Sequence, residues 1–427
     1  MREQMNCLPE LQRRGMVAQL TKPDELARLL SSGPQSIYVG FDPTASSLHV
    51  GHLLPVMALG HMQRHGHRPI VLLGGATGMI GDPSGRSSER VLLTLEKVRG
   101  NARSIRQQLE RFLRFEGEDA ALMVNNHDWI GEISHLQWLR DVGKHFTVNY
   151  MLGKDSVRSR LSDSTSGLSY TEFSYMLLQA YDFLHLATHQ GCRIQGGGDD
   201  QWGNITAGIE LVRRVRGERV FGITFPLLTT ASGEKFGKSA GNAVWLDPSL
   251  TSPYRFYQYW LNTDDRDVER LLKLFTFAPL DELEDVVATH AQSPGRRRAQ
   301  RRLAGEVTRL IHGEEARDRA ERASLALFGG DLTTLDRNEL RDVFGEAPTA
   351  TLDRDRLAGG LDAVTLLALT ETTSSKGEAR RLISSGGAYL NNQRIQEGQT
   401  INEEQLLHGE MLILRTGKKN YRLVDVR

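Results

Sequence analysis

Two apolar runs separated by one helical stretch constrain the fold of this chain more than any other feature. The first run, residues 37–39, ends before Asp42-Pro43, and proline disfavours helical geometry in the residue before it. The second run, residues 70–73, is apolar throughout, as is typical of a central strand in a parallel sheet. Strand, helix and strand at this spacing form a βαβ unit. The sequence therefore predicts an α/β protein built on a parallel sheet.

The segment between these runs carries His49 and His52, which lie three residues apart and so share one face of a helical turn. Ser46 or Ser47 could cap the free backbone donors of that helix. Two histidines near a helix start are more often surface residues or caps. A helix N-terminus with imidazoles beside it nevertheless suits a nucleotide and its phosphates.

Composition excludes several classes of protein. The chain has 427 residues, enough for two or three domains, and a formal net charge of zero, so nucleic-acid binding would depend on local patches. Its two cysteines, Cys7 and Cys192, argue against a disulfide scaffold and a cysteine-built zinc site, and they suit a reducing cytoplasm. No apolar run approaches the length of a membrane span, and residues 1–19 lack the apolar segment of a signal peptide.

Polar groups follow two of the predicted strands. Asp82 lies in the glycine-rich loop 74–85 after the strand at 70–73, where a carboxylate among glycines suits an ammonium group. Residues 196–201, with Asp200 among them, follow a strand at 192–195 and precede a helix predicted over 202–216. Ligands bind at this edge of open α/β sheets, and an acid there can accept from ribose hydroxyls. The pattern is not GxGxxG, so it does not indicate a dinucleotide.

A helix predicted within residues 169–183 places Tyr175, Gln179 and Asp182 on one face. Polar groups on an otherwise apolar helix need partners if they are buried, and either a small polar ligand or solvent would supply them. Downstream, Lys235 and Lys238 lie in a glycine-rich segment, residues 230–242. Such lysines are usually solvated, but beside a phosphate site they could close over a polyphosphate.

These segments together resemble one enzyme family. His49-Val50-Gly51-His52 resembles the HIGH signature of class I aminoacyl-tRNA synthetases, and Lys235-Phe236-Gly237-Lys238-Ser239 resembles their KMSKS signature. The lead-in from Tyr38 to Thr44, the Gly81-Asp82-Pro83-Ser84-Gly85 loop and residues 198–204 are similar to bacterial tyrosyl-tRNA synthetases. The resemblance covers essentially the whole chain, and residues 374–383 resemble the small RNA-binding domain of ribosomal protein S-four.

The resemblance implies an architecture of several parts. A Rossmann-like parallel-sheet catalytic domain is expected over residues 1–230, with a helical insertion near 135–170. The lysine loop and an all-helical domain are expected over 231–330, where five arginines between 296 and 302 could meet RNA phosphates. Residues 331–360 are predicted to be a linker with little core, and residues 361–427 a small α+β RNA-binding domain.

The resemblance also implies a role for each site residue. The catalytic set comprises Thr44, His49, His52, Lys235, Lys238 and Ser239. The tyrosine-binding set comprises Tyr38, Asp82, Tyr175, Gln179, Asp182 and Gln201. The ATP-binding set comprises Gly40, Asp42, His49, Gly51, His52, Gly198, Asp200 and Lys238. Mg²⁺ is expected to enter with ATP, and no residue is assigned to a metal. Pro55, early in the histidine helix, departs from many family members and puts one contact to ATP in doubt.

The implied activity is ligation of L-tyrosine to tRNA(Tyr) by way of tyrosyl-adenylate, in a cytoplasmic homodimer. Two alternatives remain open from the sequence. A tryptophanyl-tRNA synthetase shares fold and mechanism, but Tyr38 and Asp182 suit a phenol better than an indole. A non-catalytic RNA-binding protein on the same scaffold is disfavoured by the intact pair of signatures.

Overall fold

The computed structural model describes residues 5–82, 94–154, 157–158, 161, 168–233, 236–239, 242–326, 329–345, 347–417 and 420–427. The chain divides into two compact units. The first comprises Met1–Asp247 and Thr263–Leu303, and the second comprises Pro248–Asn262 and Ala304–Arg427. In the part of the chain that is described, no helix is long and apolar enough to cross a membrane.

Strands and helices are numbered separately, each in chain order. The strands are β1 (Gln19–Leu20), β2 (Ser36–Phe41), β3 (Arg68–Leu73), β4 (Leu122–Asn125), β5 (Ile194–Gly198), β6 (Phe221–Phe225), β7 (Lys238–Ser239), β8 (Asn242–Ala243), β9 (Thr349–Leu352), β10 (Leu361–Asp362), β11 (Ala388–Leu390), β12 (Gln393–Arg394), β13 (Thr400–Ile401), β14 (Met411–Thr416) and β15 (Asn420–Val426). The helices are α1 (Leu8–Arg13), α2 (Pro23–Ser31), α3 (Leu53–Arg64), α4 (Thr77–Ile80), α5 (Leu95–Leu109), α6 (His127–Ile130), α7 (His135–Asp141), α8 (Val148–Leu152), α9 (Tyr170–Gln190), α10 (Trp202–Arg216), α11 (Pro253–Leu261), α12 (Asp265–Phe275), α13 (Leu280–Gln292), α14 (Arg298–His312), α15 (Glu314–Ala326), α16 (Arg337–Phe344), α17 (Asp355–Ala358), α18 (Ala363–Leu369) and α19 (Lys376–Ser384).

The first unit is built on a six-stranded sheet in the order β1-β6-β5-β2-β3-β4. Strands β6, β5, β2, β3 and β4 run parallel, and β1 pairs antiparallel with β6 at one edge. The predicted α/β fold is therefore confirmed, with β2 and β3 as adjacent strands joined through α3. The helix predicted over 202–216 is also confirmed as α10.

Helix α9 packs on this sheet and carries the polar face predicted from the sequence. Ser169 caps its first turn, accepting from the backbone of Glu172, whose side chain reaches back to the cap. Gly191, with φ of 59°, ends the helix in the left-handed region that glycine adopts at low cost. Phe183 and Ala180 of α9 are fully buried in one core cluster with Tyr38 of β2 and Ile70 of β3. The sheet and α9 thus hold their side chains in fixed relation.

The second unit contains a five-stranded sheet in the order β12-β11-β14-β15-β9. Its strand β9 lies in the segment predicted as a linker and pairs in parallel with Leu423–Val426 of β15. Leu340 and Phe344 of α16 in the same segment are buried in a core cluster. The prediction of a linker with little core was wrong. Its Asp and Thr residues act instead as a helix cap at Asp336 and as β-branched strand residues.

Candidate active site

The predicted ligand-binding segments meet at one edge of the sheet. Strands β2, β3 and β5 are neighbours and parallel, so the residues that follow them emerge side by side. Asp42 follows β2, Asp82 lies in the loop after β3, and Asp200 follows β5. Gly74 makes the approach of two of these loops possible, since a Cβ there would collide with Asp42 Oδ1.

A chain of hydrogen bonds joins Asp42 to Asp182 on α9. Thr77 Oγ1 donates to Asp42 Oδ1 at 2.9 Å, and Asn126 Nδ2 donates to Thr77 Oγ1 at 3.0 Å. The Asn126 amide also donates to Asp182 Oδ2 at 3.0 Å, while Trp129 Nε1 donates to Asp182 Oδ1 at 2.8 Å. Each oxygen of Asp182 therefore has a fixed donor, which holds the carboxyl group in one orientation.

Asp182 and Tyr38 are both buried, and their environment shifts both acids. Burial, with a smaller contribution from the charge of Asp42, raises the pKa of Asp182 to about 7, against the hydrogen bonds from Asn126 and Trp129 that lower it. Burial and then the charge of Asp182 raise the pKa of Tyr38 well above its usual value. Among the residues that the structure describes, the buried Tyr38 hydroxyl finds no hydrogen-bond partner. A buried phenol in this state is costly, so its hydroxyl is poised for a polar ligand atom.

Three predicted tyrosine-binding residues, Asp82, Gln179 and Gln201, are joined through the amides of Gln201 and Asn204. Gln201 Nε2 donates to Asp82 Oδ2 at 2.7 Å. Asn204 Nδ2 donates to Gln179 Oε1 at 3.0 Å and to Gln201 Oε1 at 3.2 Å. Tyr175, also on α9, donates its hydroxyl to Asp42 Oδ2 at 3.3 Å. Helix α9 thus connects this group to the one around Asp182, because it carries Tyr175, Gln179 and Asp182.

The histidine turn, residues 49–52, caps itself. His49 Nδ1 accepts from the Gly51 backbone at 3.0 Å, and His52 Nδ1 accepts from the His49 backbone at 3.2 Å. The two rings stack with centroids 3.9 Å apart. Because a neutral imidazole that accepts at Nδ1 carries its proton on Nε2, both rings present Nε2–H donors. The predicted serine cap was wrong, since Ser47 Oγ instead donates to the carbonyl of Leu48.

Gly51 is required by this turn, because a Cβ there would stand 2.7 Å from Cε1 of His49. Gly198 is similarly constrained, with Asp200 Oδ1 only 2.6 Å from the position of a Cβ. Gly40 lies within β2, and Thr44 is exposed just beyond that strand, its backbone N–H donating to Asp42 O at 2.8 Å.

The lysine segment, residues 228–239, is described at residues 228–233 and 236–239, and the second of these stretches lies against the histidine turn. At Gly237, φ is 91° and a Cβ would stand 3.1 Å from the Gly51 backbone nitrogen, so only glycine fits there. The Val244 backbone donates to Gly237 O at 3.0 Å, and Val50 donates to Val244 O at 2.9 Å. The two signature segments are therefore in direct contact. Lys235 lies outside the described residues, as do the side chains of Lys238 and Ser239 and residues 83–85 of the Asp82 loop.

Sequence reasoning missed four residues of this site: Thr77, Asn126, Trp129 and Asn204. Asn126 follows directly after β4, so its position at a strand end was a usable signal. Asn204 lies three residues after Gln201, one helical turn along. Thr77 and Trp129 have no comparable sequence signal, since their role depends on which side chain they reach.

This arrangement, a parallel sheet whose carboxyl edge carries a polar site beside a histidine turn and a lysine segment, defines the class I aminoacyl-tRNA synthetases. The family model described as tRNA synthetases class I (W and Y) matches residues 30–329, and that of the Tyrosine–tRNA ligase SYY-like C-terminal domain matches residues 339–424. The chain belongs to this family of synthetases, within its tyrosine–tRNA ligase branch, as the resemblance predicted.

Individual relatives agree with this assignment. The chain is 54% identical over 424 residues to a Tyrosine–tRNA ligase of Anaeromyxobacter dehalogenans strain 2CP-C, covering 99% of this chain and 100% of the relative. It is 50% identical over 420 residues to a Tyrosine–tRNA ligase of Roseiflexus castenholzii, covering 98% of each. The crystal structure of a C-terminally truncated Aspergillus nidulans mitochondrial tyrosyl-tRNA synthetase superposes with a TM-score of 0.69 and 34% identity, over 76% of this chain and 94% of that one.

Proposed function

We propose that this chain activates L-tyrosine with ATP, forming tyrosyl-adenylate and pyrophosphate, and then transfers the tyrosyl group to the 3′-terminal adenosine of tRNA(Tyr). The observation that carries this proposal is the buried Tyr38 hydroxyl, which has no partner in the described part of the chain and lies close enough to Asp182 for its charge to act on the phenol. A substrate phenol would donate to Asp182 and accept from Tyr38, so both groups would be satisfied.

The same hydrogen bonds explain the choice of amino acid. Phenylalanine would leave the Tyr38 hydroxyl and the Asp182 carboxylate without a ligand partner in a desolvated site, which penalises its binding. Tyrosyl-tRNA synthetases are the standard example of this kind of discrimination. Tryptophan would bring an indole that can donate but cannot accept from Tyr38. At the other end, Asp82, Tyr175 and Gln179 would hold the ammonium group, and Gln201 would lie near the carboxylate.

Activation requires alignment and charge stabilisation rather than proton transfer. The substrate carboxylate is already ionised at neutral pH and needs no general base. The Nε2–H donors of His49 and His52 would face negative charge that develops on the phosphates. Lys235 and Lys238 would neutralise charge on the leaving pyrophosphate, and the Thr44 hydroxyl would donate a hydrogen bond to it, with Ser239 next to Lys238 in the sequence. The adenosine and its phosphates would be held by the ATP-binding set, Gly40, Asp42, His49, Gly51, His52, Gly198, Asp200 and Lys238.

Mg²⁺ is proposed to accompany ATP. Among the described residues, no group of three or more histidine, cysteine, aspartate or glutamate side chains is placed to hold a metal ion. A protein cage is not needed for this ion, because magnesium in such reactions is held largely by substrate phosphates and water.

We also propose that the protein is a cytoplasmic homodimer. Leu136 of α7 and Val148 of α8 are 79% and 60% exposed in the single chain, and Leu139 and Leu152 on the same helices are exposed as well. An apolar surface of this kind is typical of an interface between subunits. Cys7 and Cys192 are buried and free, in keeping with a reducing compartment.

Amino-acid-dependent exchange between pyrophosphate and ATP tests the proposal. Tyrosine should stimulate exchange, while phenylalanine and tryptophan should not at equal concentration. Stimulation by tryptophan alone would assign the chain to tryptophan activation. A protein that binds tRNA and supports no exchange with any amino acid would be a binding protein on this scaffold.

A further inference from the structure

Helix α12 contacts the lysine segment at three separate points. Arg270 Nη2 donates to Thr229 O at 2.6 Å, and Asp267 Oδ2 accepts from the Ala231 backbone at 2.7 Å. Phe275 stacks on Phe236, with ring centroids 5.5 Å apart and planes only 5° from parallel. In the sequence, Ala231 precedes Lys235 and Phe236 follows it, so α12 holds the segment on both sides of that lysine.

The contacts between α12 and the lysine segment involve side chains whose own positions are fixed. Asp267 is buried and is bonded a second time by Arg270 Nη2 at 2.9 Å, so the two side chains orient each other. Phe236 and Phe275 are both buried. A buried stack resists displacement more than a surface contact does, because separating the rings would expose apolar area.

The end of α12 is itself fixed. The guanidinium of Arg14 donates to the carbonyls of Lys273, Thr276 and Ala278 at 3.1, 3.2 and 2.8 Å. Arg14 is buried, and these bonds satisfy carbonyls at the end of the helix that have no partner within it. Phe275 therefore presents its ring from a rigid position.

On its opposite side the lysine segment touches the histidine turn, where Gly237 packs on Gly51. The segment is thus held between α12 and the turn. We propose that α12 positions the lysine segment against the histidine turn for amino-acid activation, with Asp267, Arg270 and Phe275 as positioning residues. The proposal rests on the proposed function, since it assigns these residues to the activation step.

Arg270→Ala is the primary test, because Arg270 is partly exposed and its loss leaves the core intact. The rate constant of adenylate formation in a single turnover should fall about threefold to tenfold, while the dissociation constant of tyrosine stays within about twofold. Arg266→Ala is the matched control, since Arg266 on the same helix pairs with Asp264 instead. An unchanged rate, a faster rate, or an equal loss of tyrosine affinity in Arg270→Ala would overturn the proposal.

The aromatic stack is tested by a double-mutant cycle of Phe236→Leu and Phe275→Leu. If the rings act as a pair, the double variant should lose little more activation rate than either single variant. Fully additive losses would contradict a shared positioning role. Thermal unfolding of each variant separates a loss of rate from a loss of folded protein.

A readout independent of activity separates this proposal from the proposed function. Trypsin cleavage at Lys235 and Lys238, followed by mass spectrometry, should be about threefold or more faster in Arg270→Ala than in Arg266→Ala, because a released segment opens more often. Equal cleavage in the two variants refutes the positioning role even if tyrosine-dependent exchange is intact. If Arg270→Ala is cleaved faster but the protein supports no tyrosine-dependent exchange, the positioning role stands and only the proposed function is refuted.

Discussion

The proposed tyrosine site contains two buried polar side chains, Tyr38 and Asp182, whose environment in the ligand-free protein is unfavourable. Within the described part of the chain the Tyr38 hydroxyl is buried without a partner, and Asp182 is buried with a raised pKa. Residues of this kind reduce stability in exchange for binding, and they occur mainly at functional sites. Removal of the Tyr38 hydroxyl should therefore affect stability and binding in opposite directions.

Tyr38→Phe is expected to stabilise the ligand-free protein while weakening tyrosine binding. Removing an unsatisfied buried hydroxyl removes its desolvation cost, which should raise the free energy of unfolding by about 1 kcal/mol. Urea denaturation measures the first effect, and equilibrium dialysis with tyrosine measures the second.

Tyr175→Phe is the matched control, because the Tyr175 hydroxyl donates to Asp42. Its removal leaves a carboxylate oxygen with one donor fewer, so this variant should not gain stability. A gain in Tyr175→Phe equal to that in Tyr38→Phe would show that the missing partner is not the cause.

Tyrosine affinity is expected to depend on pH through Asp182. The pKa of this carboxyl is raised to about 7 by burial, so the acid is largely protonated below that pH. The phenol donates more strongly to the ionised form, so binding should improve as pH rises through 7 and weaken by up to about tenfold per unit below it. Calorimetry of tyrosine binding from about pH 5.5 to about pH 8.5 measures this, and Asp182→Asn, which cannot titrate, should give a flat profile.

Lys238→Ala should slow adenylate formation far more than it weakens tyrosine binding. In the proposed function this lysine acts on the pyrophosphate, whose charge increases in the transition state, whereas tyrosine would be bound by Tyr38, Asp182 and the other residues proposed for it. Single-turnover kinetics and equilibrium dialysis separate the two effects. An equal loss in rate and affinity would remove Lys238 from this role.

At the scale of single elements, the end of α12 depends on one distant side chain. Arg14 lies just beyond α1 and makes three hydrogen bonds to backbone carbonyls around Thr276, while Glu10 accepts from its Nε at 2.9 Å. Positive charge at a helix C-terminus is favourable, and in this case it is also buried. The residue that follows the N-terminal helix α1 therefore helps to fix α12, the helix that contacts the lysine segment.

Arg14→Met is expected to lower the free energy of unfolding by about 3 kcal/mol, because it leaves buried carbonyls unpaired. Arg13→Met is the control, since Arg13 is exposed and only approaches Glu284 at 3.8 Å. The control should change stability by less than about 0.5 kcal/mol. Similar losses in both variants, measured by urea denaturation, would argue against the helix-end role of Arg14.

At the scale of the whole molecule, the position of a truncation should decide whether the remaining chain stays soluble. Ending the chain at residue 360 removes β15 and leaves its partner β9 unpaired. It also removes Tyr421, whose ring packs against that of Phe344. Ending it at residue 330 removes α16 and β9 as well.

We expect the chain of residues 1–330 to form adenylate but to lose tRNA charging, and the chain of residues 1–360 to aggregate because its strand edge and apolar residues are exposed. Size-exclusion chromatography and pyrophosphate exchange distinguish the two products. Full charging by the shorter chain would show that residues 331–427 do not contribute the tRNA contact.

The sequence predicted much of the first unit because local rules and tertiary structure agree there. The apolar runs at 37–39 and 70–73 are buried strands, and Tyr175, Gln179 and Asp182 share a face of α9. The predictions failed where the role of a residue depends on a partner that is distant in the sequence. Ser46 and Ser47 had the right chemistry for a cap, yet the two histidines fill that role, each accepting a hydrogen bond from the backbone of the turn.

By itself, the sequence determined which segments are helices and which are strands, because this depends on the periodicity of apolar residues. It also determined that the polar loops collect at the carboxyl edge of the parallel sheet, because the handedness of βαβ connections is fixed. Only the tertiary structure decided that Asn126 and Trp129 orient Asp182, that Asn204 joins Gln179 to Gln201, and that β9 completes a sheet with β15. These pairings join residues far apart in the chain or on different elements, and their geometry exists only after the elements have packed.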